Sequence, residues 1–291
     1  IYVPILTPVR ENEEVDVERL KEHVNYVIEK GVHGILAHGS NGEFYMFDDE
    51  DYELITRTIV EETKGRVPVL MGIGAIRTSK AIKLAKIGEK LGVDGLSILQ
   101  PMFLKPNDEE LFLYFKEIAD SVPNLPVLLY NNPRIGYTMS GDLVEKLARE
   151  VPNIVGMKDS SGDINQLMEF IRRTRDLEFK VFGGKDTMIY ASLAVGGVGA
   201  VCSTANIFPE IVMAIYNEFV TGNLKESLDL QYRFNPVRMA QDKASFPVAT
   251  KDMANIQGLN IGKPIRPNLP SKEGTIEFFK KKIEEAGLLK K

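Results

Sequence analysis

A lysine and a tyrosine, each closing a short apolar run, are the residues of this sequence best suited to covalent chemistry. Asn153-Ile154-Val155-Gly156-Met157-Lys158-Asp159-Ser160 reads as a strand that presents an amine at its end, and Pro126-Val127-Leu128-Leu129-Tyr130 presents a phenol in the same way. Where strands and helices alternate in a closed barrel, reacting groups sit at the carboxyl ends of the strands. An amine placed there can attack a ketone and form an imine, with a nearby phenol to carry protons. That chemistry points to a 2-oxo acid. The competing reading is a lysine in a surface ion pair, and these two runs alone do not separate the alternatives.

Other motifs bear on what the amine would meet. Gly39-Ser40-Asn41-Gly42-Glu43 brackets two short polar residues with glycines, so backbone N–H groups and the Ser40 and Asn41 side chains could converge on a carboxylate; an ordinary strand-to-helix turn is the alternative. Gly72-Ile73-Gly74-Ala75 lacks the third glycine of a dinucleotide fingerprint and does not support that reading. Gly183-Gly184-Lys185-Asp186 follows the seventh strand-like run, where barrels often hold phosphate. Asp186 would repel a phosphate and suits the hydroxyls of a polyol substrate better. The run Asp48-Asp49-Glu50-Asp51 caps and favours a following helix more readily than it forms a catalytic carboxylate pair. His23, His33 and His38 show no metal-ligand spacing, so no metal is expected. Cys202 lies in an apolar run and reads as a small core residue.

Short apolar runs bounded by Gly, Pro or Asn recur at Val3–Leu6, Gly34–Ala37, Val67–Met71, Gly95–Leu99, Val127–Tyr130, Ile154–Lys158, Lys180–Phe182 and Gly199–Cys202, as buried parallel strands require. Helical periods separate them. Val17, Leu20, Val24, Val27 and Ile28 follow a candidate cap at Asp16, and Leu143, Val144, Leu147, Ala148 and Val151 follow one at Ser140. The pattern predicts a (β/α)8 TIM barrel over residues 1–222. Residues 223–291 predict a C-terminal helical region packed on the barrel. One period there runs through Leu224, Leu228, Leu230 and Tyr232 and another through Ile276, Phe279 and Ile283, around a connection at Gly258–Pro270.

Composition excludes several classes. A net charge of -5 argues against a nucleic-acid partner. No window approaches the length of an apolar membrane span, and Ile1–Leu6 reads as a first strand rather than a secretory leader. With Cys202 as the sole cysteine, an internal disulfide is ruled out and a reducing, cytoplasmic location is expected.

Taken in order, Gly39–Glu43, Tyr130-Asn131-Asn132-Pro133, Val155–Asp159, Gly183–Asp186 and Gly199–Asn206 make the chain resemble the dihydrodipicolinate synthase / N-acetylneuraminate lyase family over essentially its whole length. The resemblance implies a homotetramer or homodimer of barrels. It makes Lys158 the residue that forms a covalent imine with pyruvate, without any external cofactor, and Tyr130 the proton-transfer residue. It sets Ser40 and Asn41 at the pyruvate carboxylate, Val201 at the same ligand through its backbone, and Gly184, Asp186, Ser203 and Phe103 among the substrate-binding positions.

Departures from the family pattern steer the choice of aldehyde partner. Ser40-Asn41 stands where two threonines or Ser-Thr are common and is similar to the pair of 4-hydroxy-2-oxoglutarate aldolases. Pro101-Met102-Phe103 replaces a Pro-Tyr-Tyr segment, so no hydroxyl is offered to a neighbour's proton relay. Arg134 is near the place of an arginine that holds an amino-acid carboxylate, in a loop that looks one residue shorter. Asp186 and Ser203 fall where sugar-acid lyases meet hydroxyls, although Thr187 follows where sialic-acid lyases are acidic. These features favour an aldolase acting on a 2-keto-3-deoxy sugar acid or 4-hydroxy-2-oxo acid. The alternatives are a dihydrodipicolinate synthase, condensing pyruvate with aspartate semialdehyde, and a catalytically silent ligand-binding barrel.

Overall fold

The computed structural model describes residues 1–290. In chain order the elements are β1 (Tyr2–Pro4), α1 (Val17–Glu29), β2 (Gly34–Ala37), α2 (Asp49–Thr63), β3 (Val69–Ile73), α3 (Thr78–Leu91), β4 (Gly95–Leu99), α4 (Asp108–Ser121), β5 (Val127–Asn131) and α5 (Gly141–Glu150). They continue as β6 (Ile154–Asp159), α6 (Ile164–Thr174), β7 (Lys180–Gly183), α7 (Ile189–Ala194), β8 (Gly199–Ala200), α8 (Pro209–Val220), α9 (Leu224–Ala240), α10 (Val248–Ile256) and α11 (Glu273–Glu285). Strand order in the sheet follows chain order, the sequence of a (β/α)8 fold followed by further helices.

The strand and helix expectations hold with small shifts. β2 through β5 are buried along their whole length, as strands covered on both faces must be. The third strand begins at Val69 rather than Val67, because Pro68 has no N–H to give to a ladder. Asp16 caps α1 by accepting from Arg19 N–H, Ser140 caps α5 by accepting from Leu143 N–H, and Asp48 caps α2 by accepting from Asp51 N–H. The acidic run is thus a helix start.

The chain divides into two compact units. One comprises residues 1–67 and 202–291. Within it β1 pairs parallel with β2, and Asn206 ties the segment after β8 to the N-terminal strand: its amide donates to Pro4 O at 3.0 Å and accepts from Leu6 N at 3.0 Å. Asn206 Oδ1 also accepts from His23 Nε2 at 2.9 Å, so His23 is a buried core residue tied to the same asparagine.

This unit corrects one expectation and adds a helix that the sequence reading did not name. α9 buries Ser227, Gln231, Phe234 and Val237, whereas Leu224 and Tyr232 of the expected stripe are 47% and 63% exposed. The helical period is right and its phase is wrong, because Phe234 at 0% exposure anchors the opposite face. α10 was hidden by its content, since it buries Lys251 and Asp252 beside Val248, Ala249 and Met253 and so lacks an apolar stripe.

The second unit comprises residues 68–201. β3 to β8 pair in succession, all parallel. β8 is shorter than expected, though Val201 N still donates to Gly183 O at 2.8 Å.

Candidate active site

Strands β5 and β6 set the candidate pair, Lys158 and Tyr130. Val127 lies opposite Ile154, but Leu128 lies opposite Gly156, so one extra residue, Val155, enters β6. Such a bulge shifts everything beyond it by one residue and turns each side chain to the other face. Without it Tyr130 would face Met157; with it Tyr130 faces Lys158 and Asn131 faces Asp159. Gly156 permits this packing, since a Cβ there would lie 2.3 Å from Lys180 O. Lys158 and Tyr130 are 5% and 7% exposed, and Lys158 Nζ stands 4.2 Å from the centroid of the Tyr130 ring.

Polar groups around this pair are ordered. Asn132 Nδ2 donates to Tyr130 Oη at 3.0 Å, and Asn132 N donates to Gln100 Oε1 at 2.9 Å. Asn131 Nδ2 donates to Asp159 Oδ1 at 2.7 Å. Burial raises the Asp159 carboxyl above its ordinary value, opposed by hydrogen bonds from Ser161 and Asn131. Sequence reasoning missed Asn132, Gln100 and Asp159; the doubled asparagine after Tyr130 was the only visible signal for the first.

Gly184 and Asp186 follow β7. Gly184 N donates to Asp159 O at 2.7 Å, and a Cβ on Gly184 would fall 2.1 Å from Ser160 Oγ, so a side chain there would force the segment after β6 away. Asp186 is buried at the start of a one-turn helix, Asp186–Met188. Phe103 stands apart from these residues in character: it is 94% exposed and has a left-handed φ of 69°.

In the other unit, Ser40–Gly42 forms a one-turn helix that ends at Glu43, whose φ is 56°. Asn41 is buried, and its Oδ1 accepts from Thr250 Oγ1 at 3.2 Å. The turn is locked underneath by Glu43, which is fully buried against Lys251 Nζ and accepts from Ile265 N at 3.0 Å. Ser203 opens the turn Ser203–Asn206 after β8 and is half-buried. No three His, Cys, Asp or Glu side chains converge as a metal would require among the described residues. None of the described helices is long and apolar enough to cross a membrane.

The dihydrodipicolinate synthetase family model matches residues 1–286. A 4-hydroxy-tetrahydrodipicolinate synthase of Methanoculleus marisnigri is 38% identical over 253 residues, 87% of this chain and 86% of the relative. A dihydrodipicolinate synthase structure from Thermotoga maritima superposes with a TM-score of 0.95 at 28% identity, covering 99% of this chain and 98% of the other. YagE, a prophage protein of the dihydrodipicolinic acid synthase family from E. coli K12 solved in complex with pyruvate, superposes with a TM-score of 0.94 at 26% identity, over 99% and 98% of the two chains. The fold is therefore a (β/α)8 barrel with C-terminal helices, and the protein is a class I lyase. The chain belongs to the dihydrodipicolinate synthetase family.

Proposed function

We propose that this enzyme joins pyruvate to an aldehyde through an imine on Lys158, and that the pairing of Lys158 with Tyr130 across β5 and β6 carries this reading. The neutral amine adds to the keto carbon, the carbinolamine loses water, and the iminium accepts the electron pair when a C3 proton leaves. The resulting enamine attacks the aldehyde, and water then releases the product and the free lysine. Tyr130 carries protons to and from the carbinolamine oxygen and the aldehyde oxygen. Ser40, Asn41 and the Val201 backbone hold the pyruvate carboxylate in this reading, with no external cofactor and no metal.

For the aldehyde, the relatives' names support aspartate semialdehyde over the sugar-acid partner that the motif departures favoured, so the synthase reading stands first. Arg134, exposed on the one-turn helix Pro133–Ile135 that Asn132 caps, is the candidate partner for the semialdehyde's carboxylate. A specific observation sustains the second reading, an aldolase for 2-keto-3-deoxy or 4-hydroxy-2-oxo acids. Phe103 brings no hydroxyl to a proton relay, while buried Asp186, with Gly184 and Ser203, suits a hydroxylated substrate. A homotetramer or homodimer is proposed with either.

Borohydride reduction in the presence of pyruvate tests the imine: a stable adduct is expected on Lys158 and none in Lys158→Ala. Undiminished labelling of that variant would overturn the assignment. Aspartate semialdehyde is expected to show a higher kcat/KM than glyceraldehyde, and the reverse order would establish the aldolase reading.

A further inference from the structure

We infer that Asn132 is a positioning residue for proton transfer: its side-chain amide donates to Tyr130 Oη, orients the phenol's own proton away from itself, and stabilises the oxyanion left when that proton moves. The inference rests on the proton-transfer role of Tyr130 proposed above. The orientation of the Asn132 amide is fixed by its neighbours. Asn132 Oδ1 accepts from Arg134 N at 3.2 Å, and a backbone N–H can only donate, so that end of the amide must be the oxygen. The other end is then the NH2 group, which stands 3.0 Å from Tyr130 Oη. Flipping the amide would set its NH2 group against Arg134 N–H and lose that bond.

The Asn132 backbone is pinned as well. Its N–H donates to Gln100 Oε1 at 2.9 Å, and Asn132 and Gln100 are 6% and 1% exposed. A bond among buried groups is stronger than one in water. Donation to an ionising oxygen strengthens as charge develops, which favours the ionised form. Capping alone would not demand asparagine, since aspartate or serine accepts from a helix-start N–H as well. The donor half of the amide is used at the phenol. Lys158 Nζ lies against the Tyr130 ring and is held in the imine while the carbon–carbon bond forms.

Asn132→Asp separates the two roles, because it keeps the acceptor facing Arg134 and replaces the donor with a carboxylate. Circular dichroism and melting are expected to be near wild type. The kcat is expected to fall about 10- to 100-fold, the size of a lost hydrogen bond to a charged group, with little change in KM for pyruvate. The basic limb of kcat against pH should move up by about one unit or more. In a Tyr130→Phe background the same substitution should add nothing. Wild-type kcat and pH profile in Asn132→Asp, or effects that multiply with those of Tyr130→Phe, would overturn the inference while leaving the imine assignment intact. Normal turnover in Tyr130→Phe would instead remove the phenol's role and the inference with it. Should Asn132→Asp fail to fold, Asn132→Ser carries the comparison, since it retains a cap and is too short to reach the phenol.

Discussion

Asn131 and Asp159 join the ends of β5 and β6 one residue beyond Tyr130 and Lys158, by a buried bond of 2.7 Å from Asn131 Nδ2 to Asp159 Oδ1. Each partner is engaged further. Asn131 Oδ1 accepts from Met139 N at 3.0 Å. Asp159 accepts from Ser161 N at 3.2 Å and from Ser161 Oγ at 2.6 Å. Although Asp159 adjoins Lys158 in sequence, strand alternation turns its carboxylate to the other face, where these bonds occupy it. Its work is to hold the strand ends in register.

Asp159→Ala should therefore act on stability and on turnover together. It leaves the buried Asn131 amide only its 3.5 Å contact with Gln166 Oε1, which costs about 1–3 kcal/mol. A lower urea midpoint is expected, along with a reduced rate of borohydride trapping at Lys158. Unchanged trapping in a destabilised variant would show that the clamp serves folding alone.

Two buried histidines predict acid sensitivity. Burial lowers His23 to about 4, opposed by its bond to Asn206. It lowers His38 to about 3, opposed by its bond to the Tyr52 carbonyl. His38 stacks on Tyr52 at 3.8 Å and reaches Thr56 Oγ1 at 2.9 Å, an arrangement with no place for added charge. In the unfolded chain both would titrate near 6.5, so below that pH the unfolded state binds more protons. The stability conferred by keeping them neutral is full above pH about 6.5 and is lost as pH falls towards 4 and then 3. Urea midpoints should fall steadily over that window, and His38→Phe should flatten the slope. A slope unaltered by that substitution would assign the acid sensitivity to other groups.

Much of this architecture was legible because it is written locally. Caps at Asp16, Asp48 and Ser140 announce helix starts, and short apolar runs closed by Pro, Gly or Asn announce buried strands. Lys158 and Tyr130 were visible as the polar ends of such runs. Their mutual register was not, because it depends on a bulge at Val155 that exists only between two strands. The Asn132–Tyr130 bond was hidden for a similar reason: Arg134 N sets the amide's orientation and Gln100, a strand away, pins the backbone that carries it. α9 shows the limit of periodicity, since Leu and Tyr at helical spacing looked like the buried face until Phe234 and Val237 took that role.

The least legible device is the pairing of Glu43 with Lys251, and it yields the firmest stability prediction. Both side chains are fully buried, and Lys251 Nζ also donates to Lys263 O at 3.1 Å. Burial pushes the Lys251 ammonium down from its ordinary value, and the Glu43 charge opposes that shift. Taking both charges from water is costly, and their attraction together with the bonds to Ile265 N and Lys263 O offsets it. Removing one partner is another matter, because the survivor stays buried without compensation. Lys251→Met should cost about 3–5 kcal/mol, and replacing the pair together by Lys251→Met and Glu43→Leu should recover most of that loss. Because Thr250, the neighbour of Lys251, holds Asn41, the single variant should also raise KM for pyruvate if Asn41 binds its carboxylate. Urea unfolding of the two variants decides the first point, and a double variant no more stable than the single one would show that the two charges do not compensate each other.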